Sequence, residues 1–444
     1  MRIRRCFVAA SRLFLTLAAL GASTASAQPD SGPLAARVRQ VAALLTAAPA
    51  VPDTLFHPEF LAQVPVAQLT AVFQQFHAQA GAVVRTVETQ SRGADYGEYR
   101  FETEKGMAFP AKIGIESAAP YRIHTLWFGL PQSTKTSPDE IIGKLKALHG
   151  RTSLAVYRLD GAGPRLLHGL EPDVPLAIGS TFKLYVLGAL VQEAAAGRVP
   201  WERVVRLERG LESLPSGVLQ SWPVGTPLTV QTLASEMISI SDNTAADHLL
   251  RLLGRPAVEA VQKTMGHATP ERNLPFLSTR ELFQLKAKGH AERISAFLAR
   301  DAAGRRAYLD DSLARMQPAE ITDIELHVPA AIDRLEWFAS TADLCRAMDW
   351  LRVRTAGEAN RRAAPARAIL AINPGVELDG KTWTYVGYKG GGEPGVLNMT
   401  WLLGRRDGAW FAVSASWNDP AQTVDTTELA TLMQGLIGLL ASAD

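Results

Sequence analysis

The hydrophobic period of the chain changes twice after residue 140, and this ordering limits the fold more than any other feature. Ser153–Leu159 alternates like a strand, Asp160-Gly-Ala-Gly163 turns, and Arg165–Leu170 returns. A long helical region follows from about Ser180 to Arg367. Strand patterns resume at Trp383–Lys389, Val396–Leu403 and Trp410–Ser416, and an amphipathic helix from about Ala421 to Ala441 ends the chain. Strands at both ends with helices between them predict one antiparallel sheet built from the two ends of this block, with the helical region beside it. Chemistry is then expected where helices meet a sheet edge.

Residues 30–130 read differently. Leu34, Val38, Val41, Ala42 and Leu45 share one helical face, as do Leu69, Val72, Phe73 and Phe76. Strand-like segments follow at Tyr99–Glu102, Lys112–Glu116 and Arg122–Gly129, so a small α+β domain with a curved sheet against one helix is expected. It is similar to cystatin-like or ketosteroid-isomerase-like domains, although no motif is specific to them. Asp95, Tyr96 and Tyr99 are read as a turn and an edge strand rather than an acid–base group. Pro131-Gln-Ser-Thr-Lys-Thr-Ser-Pro-Asp139 has linker composition. The division is therefore residues 28–135 and 136–444, after a leader at 1–27.

That leader is expected to be a cleaved secretory signal. Arg2, Arg4, Arg5 and Arg12 precede the apolar run Leu13–Leu20, and Ala25-Ser-Ala27 supplies a small-residue cleavage site. The run is short for a membrane span, which needs about 20 apolar residues. Removing those four arginines from the 46 basic residues leaves 42 against 44 acidic ones. A near-neutral chain of this kind carries no signature of a nucleic-acid partner. Cys6 lies in the leader, which leaves Cys345 alone in a helical pattern as a small buried hydrophobe, with no internal disulfide. The nine histidines are scattered, and no His-Glu-x-x-His or paired-Cys spacing is present, so neither a metal nor another cofactor is expected. Trp201 and Trp350 are read as core, while Trp222 is a candidate cleft wall.

Three short motifs carry the chemistry. In Ser180-Thr-Phe-Lys183, a serine and a lysine three residues apart share a helix face, and a desolvated lysine can deprotonate a serine hydroxyl. The tetrad alone is weak, being equally an N-cap serine beside an exposed lysine. Ser241-Asp-Asn243 offers a second hydroxyl for proton relay and an amide to hold a substrate carbonyl and the lysine, although capping alone would explain it. Lys389-Gly390-Gly391-Gly392 ends a predicted strand, placing a cation for a carboxylate and glycines against which a substrate backbone could lie. By itself it reads as a turn between two strands.

Taken in order, S-x-x-K, S-D-N and K-[TS]-G resemble the signature set of class A β-lactamases and penicillin-binding proteins. The 61 residues from Ser180 to Ser241 are similar to the family spacing, as are the flanks Pro223–Val230 and Gly392–Asn398. The resemblance covers roughly residues 145–444. It implies a β-lactamase/transpeptidase-like α+β domain, a Ser180 nucleophile, Lys183 as base and Ser241 as proton relay. It also implies a small-molecule substrate held by Asn243, Lys389, Gly390 and Gly391, and an oxyanion hole from the N–H groups of Ser180 and Gly392. A D,D-peptidase or esterase would use the same residues.

Two departures stand out. Gly390 lacks the hydroxyl that usually helps bind the substrate carboxylate. The Glu-x-x-Leu-Asn segment expected about 35 residues after the second motif is replaced by Pro270-Glu-Arg-Asn-Leu-Pro-Phe-Leu-Ser-Thr-Arg-Glu281, in which neither Glu271 nor Glu281 has the Leu-Asn partner. Ser241 and Lys389 are 148 residues apart, which implies a charged helical insertion near 285–335 that overhangs the site. A two-domain β-lactamase-like type of clavulanic acid biosynthesis is similar in joining an isomerase-like domain to such a domain and in lacking the usual Glu. Proteins of that type need not be efficient β-lactamases, so a covalent trap or sensor is the alternative from another class.

Overall fold

The structure, a computed structural model, describes residues 32–47, 51–133, 137–161, 163–316 and 327–441. The expected leader lies outside them, as do part of the linker and residues 317–326 of the insertion. Among the described residues, no helix is long and apolar enough to cross a membrane. The chain divides into two compact units. One takes in the described residues up to Lys105 together with Phe109–Phe128, and the other Gly106–Ala108 and everything from Gly129.

In the first unit, helices α1 (Pro33–Ala47), α2 (Pro58–Gln63) and α3 (Val66–Ala80) precede a meander of β1 (Val83–Ser91), β2 (Tyr96–Thr103), β3 (Met107–Ile115) and β4 (Ile123–Phe128) in sequential order. Phe73, Phe76, Phe101, Phe109 and Phe128 interlock, with Phe101 edge-on to Phe109 at 5.6 Å and Phe73 edge-on to Phe128 at 5.7 Å. Strand β1 is absent from the sequence reading because most of its side chains are exposed, which leaves no apolar alternation to read. The edge-strand reading of Tyr99 needs correction. Strand β2 lies between β1 and β3, and Tyr99 is 6% exposed.

The second unit opens with α4 (Pro138–Ala147). Pro138 and Asp139, read as linker, are instead its first turn, because Ser137 and Glu140 form a reciprocal capping box with Pro at the first helical position. The hairpin β5 (Arg151–Asp160) and β6 (Gly163–Leu170) follows. Then come α5 (Lys183–Ala195), α6 (Val230–Ser239), α7 (Asn243–Leu253), α8 (Arg255–Thr264), α9 (Thr279–Lys286), α10 (His290–Leu298), α11 (Ala302–Asp311), α12 (Thr341–Arg354) and α13 (Pro365–Leu370). Strands β7 (Trp383–Glu393), β8 (Val396–Arg405) and β9 (Trp410–Asn418) and helix α14 (Thr426–Leu440) complete it.

The sheet runs β7-β8-β9-β5-β6, antiparallel throughout, so strands from both ends of the unit meet where β9 pairs with β5. This is the arrangement read from the change of period. One face carries Leu154, Val156, Trp401 and Val413 against α4 and α14, and the other packs on the helical region. Helix α5 is apolar on all sides and lies inside that region, as the all-round hydrophobicity of a central helix requires. The last helix begins at Thr426 rather than Ala421 because the Asp425 side chain caps the N–H groups of Thr427 and Glu428. The described part of the insertion also packs inward. Ile294, Phe297, Leu309 and Leu313 bury its apolar faces in the same core as Trp337. Cys345 is buried there too, its Sγ 3.6 Å from the carbonyl of Ala155.

Candidate active site

Ser180 stands on a 3-10 turn, Gly179–Phe182, that leads into α5. Side chains three apart eclipse in such a turn, and Lys183 Nζ lies 3.1 Å from Ser180 Oγ. Gly179 has a φ of +48°, and a Cβ there would fall 2.8 Å from the backbone nitrogen of Gly392. Only glycine gives that backbone and that clearance. Phe182 fixes the turn from behind by stacking on Trp337 at 3.8 Å.

Ser241 and Asn243 come from the bend between α6 and α7. Ser241 holds a φ of +59°, uncommon for a non-glycine residue, and its neighbours pin it there. Asp242 caps α7 through Ala245 N–H at 2.8 Å, and its other oxygen accepts from the N–H groups of Val218 at 2.7 Å and Leu219 at 2.9 Å. The bend thereby aims both oxygens of Ser241 at Lys183, with the carbonyl 2.6 Å and Oγ 3.0 Å from Nζ. Asn243 Oδ1 accepts from the same Nζ at 2.7 Å, while its Nδ2 donates to Leu214 O at 2.9 Å.

Lys183 is fully buried, and burial, reinforced by the nearby charge of Lys389, holds its pKa well below the ordinary lysine value. A neutral amine donates two hydrogens and accepts one. The Ser241 carbonyl and Asn243 Oδ1 can only accept, so they take the two N–H bonds. The remaining lone pair faces the two hydroxyls, Ser180 and Ser241. The site can therefore take a proton from Ser180 without rearranging.

Lys389 projects from β7, the edge strand of the sheet, and its Nζ lies 3.0 Å from Ser241 Oγ and also bonds Gly390 O. It is 2% exposed, and burial lowers it to about 7. Ser241 Oγ thus bridges the two lysines. The glycine run is not the turn of the simpler sequence reading. Strand β7 continues through it to Glu393, with Gly391 opposite Asn398 and Gly392 opposite Leu397. A Cβ on Gly391 would sit 2.5 Å from the backbone nitrogens of Ser180 and Thr181, so the strand edge and the Ser180 turn touch only because position 391 has no side chain.

The structure brings together Ser180, Lys183, Ser241, Asn243, Lys389 and the edge at Gly390, Gly391 and Gly392. It does not bring the carboxylates considered from sequence. Glu271 is exposed in the short turn Pro270–Asn273, and Glu281 caps Ser278 and pairs with Arg255 at 2.6 Å. Trp222 is 42% exposed, whereas Trp201 is buried with its indole N–H bonded to Arg362 O. Sequence reasoning missed Asp247, buried one turn after Asn243. It accepts from Thr279 N at 2.7 Å, Thr279 Oγ1 at 2.8 Å and Arg280 N at 2.9 Å, tying α9 to α7, and burial raises it to about 6. Its signal was a carboxylate on an otherwise apolar helix face. Among the described residues, no cluster of three His, Cys, Asp or Glu side chains could hold a metal ion.

Residues 139–305 match the model of the beta-lactamase enzyme family, a span that includes Ser180, Lys183, Ser241 and Asn243 and stops short of Lys389. The chain is 31% identical over 139 residues to the beta-lactamase AST-1 of Nocardia asteroides, covering 31% of this chain and 44% of that protein. It is 34% identical over 104 residues to the beta-lactamase FAR-1 of Nocardia farcinica, covering 23% of this chain and 33% of that protein. Both matches therefore span less than half of the relative. A beta-lactamase from Sphaerobacter thermophilus superposes with a TM-score of 0.48 at 20% identity, over 68% of this chain and 96% of that one.

Proposed function

Since residues 139–305 are of beta-lactamase-family type and carry a serine and a buried lysine in hydrogen-bond contact, we propose that the chain is a serine hydrolase working through an acyl-enzyme on β-lactams or related amides and esters. The Ser180–Lys183 contact, with the lysine's other hydrogen bonds taken by pure acceptors, is the observation that carries this reading. Lys183 takes the Ser180 proton as Oγ bonds to the substrate carbonyl carbon. The oxyanion is held by the N–H groups of Ser180 and Gly392. The proton then passes by Ser241 to the leaving nitrogen as the C–N bond breaks. Asn243 keeps Lys183 in place and has one amide hydrogen left for a substrate carbonyl, and Lys389 attracts a substrate carboxylate. The basic, apolar, small-residue order of residues 1–27 supports export to the periplasm or outside the cell.

One observation favours a slower second step. Lys183 has Ser180, Ser241 and Asn243 as its partners among the described residues, Glu281 is tied to Arg255, and Glu271 is exposed. With no carboxylate among the described residues hydrogen-bonded to Lys183 to activate water, the acyl-enzyme is expected to accumulate, as in a covalent trap. Hydrolysis of a chromogenic cephalosporin, followed by stopped flow, tests both steps. A burst of about one equivalent followed by a slow phase, with the burst lost in Lys183→Ala, is expected. A burst that survives in Lys183→Ala would remove the lysine from the role of base.

A further inference from the structure

We propose that Lys286, held between Glu336 and Glu393, is a positioning residue that sets the spacing of the oxyanion hole. The inference rests on the acyl-enzyme reading above, in which the N–H groups of Ser180 and Gly392 hold the oxyanion. Strand β7 stays paired to its last residue, with Glu393 opposite Val396. Alternation therefore puts the Glu393 side chain on the face of Lys389 and Gly391, toward the Ser180 turn. Lys286 Nζ bonds that carboxylate and so ties down the residue next to Gly392. The same Nζ donates to Glu336 Oε1 at 3.1 Å, and Glu336 Oε2 accepts from Trp337 N–H at 3.0 Å. Trp337 in turn holds the Ser180 turn. Its carbonyl accepts from Ile178 N–H at 3.0 Å, its ring stacks on Phe182, and Phe338 and Ala339 pair with Ala177 and Leu176. One cation thus joins the two backbone segments that carry the two N–H groups.

Where these segments meet at Gly391, the contact is backbone against backbone. Gly390, Gly391 and Gly392 offer no side chain to key the strand to the turn and leave its backbone permissive. An anchor at Glu393 supplies what the glycines cannot. The side chains of Lys286 and Glu336 are buried, and that of Glu393 is 9% exposed. Burial alone would lower the lysine, but the carboxylates of Glu393 and Glu336 raise its pKa above the ordinary value, so it stays a cation. A buried ion bridge contributes little net stability compared with apolar packing, and what it adds is a defined geometry. Lys286 also closes α9, whose Thr279 Oγ1 donates to Asn243 O at 3.2 Å, so the clamp is continuous with the helix that carries Asn243. Among the described residues, none of the three charged groups bonds Ser180, Lys183 or Ser241, so they act through the backbone.

The test uses the acyl-enzyme that the full chain forms with benzylpenicillin isotope-labelled at its β-lactam carbonyl. Hydrogen bonds from the two N–H groups lower the infrared stretch of the ester carbonyl, so its frequency reports the hole itself. Lys286→Met alone leaves two carboxylates unpaired and can lose the fold. The variant compared is therefore Lys286→Met/Glu336→Gln/Glu393→Gln, which buries no charge. Its carbonyl stretch is expected to move to higher frequency, and its acylation rate constant to fall about a hundredfold, as for a misplacement of roughly 1 Å. The dissociation constant of the preceding non-covalent complex is expected to stay the same. An unchanged stretch and rate constant in the triple variant would overturn the assignment. Arg255→Met breaks the pair with Glu281 near the start of α9 and is expected to keep the stretch of the unaltered protein. An equal shift there would reduce the effect to general loosening and overturn the assignment as well. Failure of the unaltered protein to be acylated would instead overturn the acyl-enzyme reading, and this inference with it.

Discussion

Lys183 and Lys389 meet the same hydroxyl, Ser241 Oγ, each at 3.0 Å, yet the proposed mechanism needs them in opposite protonation states. A base must be neutral, and a carboxylate anchor must be charged. Burial lowers both, and the charge of Lys389 lowers Lys183 further, so one cation and one amine can share the site near neutral pH. The pH profile follows. As pH falls, Lys183 gains a proton and acylation is lost. As pH rises through about 7, free Lys389 loses its proton and affinity for carboxylate substrates declines. The rate constant for benzylpenicillin is therefore expected to be bell-shaped with an alkaline limb near 7, and that limb is expected to be missing for the methyl ester. An alkaline limb near the ordinary lysine value of about 10.4 would contradict the account. A second residue-scale prediction concerns Tyr185, whose buried hydroxyl has no partner among the described residues. Tyr185→Phe is expected to leave stability unchanged or to raise it by about 1 kcal/mol in urea unfolding.

At the level of elements, the site is made by an edge strand, a 3-10 turn and a bend, and these differ in how legible they were. The tetrad from Ser180, the triplet from Ser241 and the Lys389 run were readable because spacing along the chain encodes them. The unbroken strand through Gly390–Gly392 was not, since glycines carry no alternation and look like a turn. Only the approach of the Ser180 turn, which leaves no room for a Cβ at 391, explains them. A buried cluster was equally invisible. Lys286 at the end of α9 meets Glu393 at the end of β7 and lies 3.1 Å from Glu336, which comes from fifty residues further along the chain. Burial and the neighbouring Glu336 push Glu393 upward in pKa, against the pull of Lys286. Lys286→Met leaves two buried carboxylates without a cation and is expected to cost about 3–5 kcal/mol in urea unfolding. A loss below about 1 kcal/mol would mean that the carboxylates share a proton and do not depend on the lysine.

At the scale of the molecule, the two units have separate cores, a phenylalanine cluster in one and two layers against the sheet in the other. A ligand stabilises the unit that binds it. Calorimetry is therefore expected to show two transitions, of which acylation at Ser180 raises only the one belonging to residues 129–441. A shift of both by the same amount would mean that the units unfold as one. The central claim, that Ser180 is the nucleophile, is tested most directly by intact mass after mixing the protein with benzylpenicillin, beside Ser180→Ala. The account predicts an added mass of one penicillin, mapped to the peptide containing Ser180 and absent from the variant. No adduct on the unaltered protein, or the same adduct on Ser180→Ala, would contradict it.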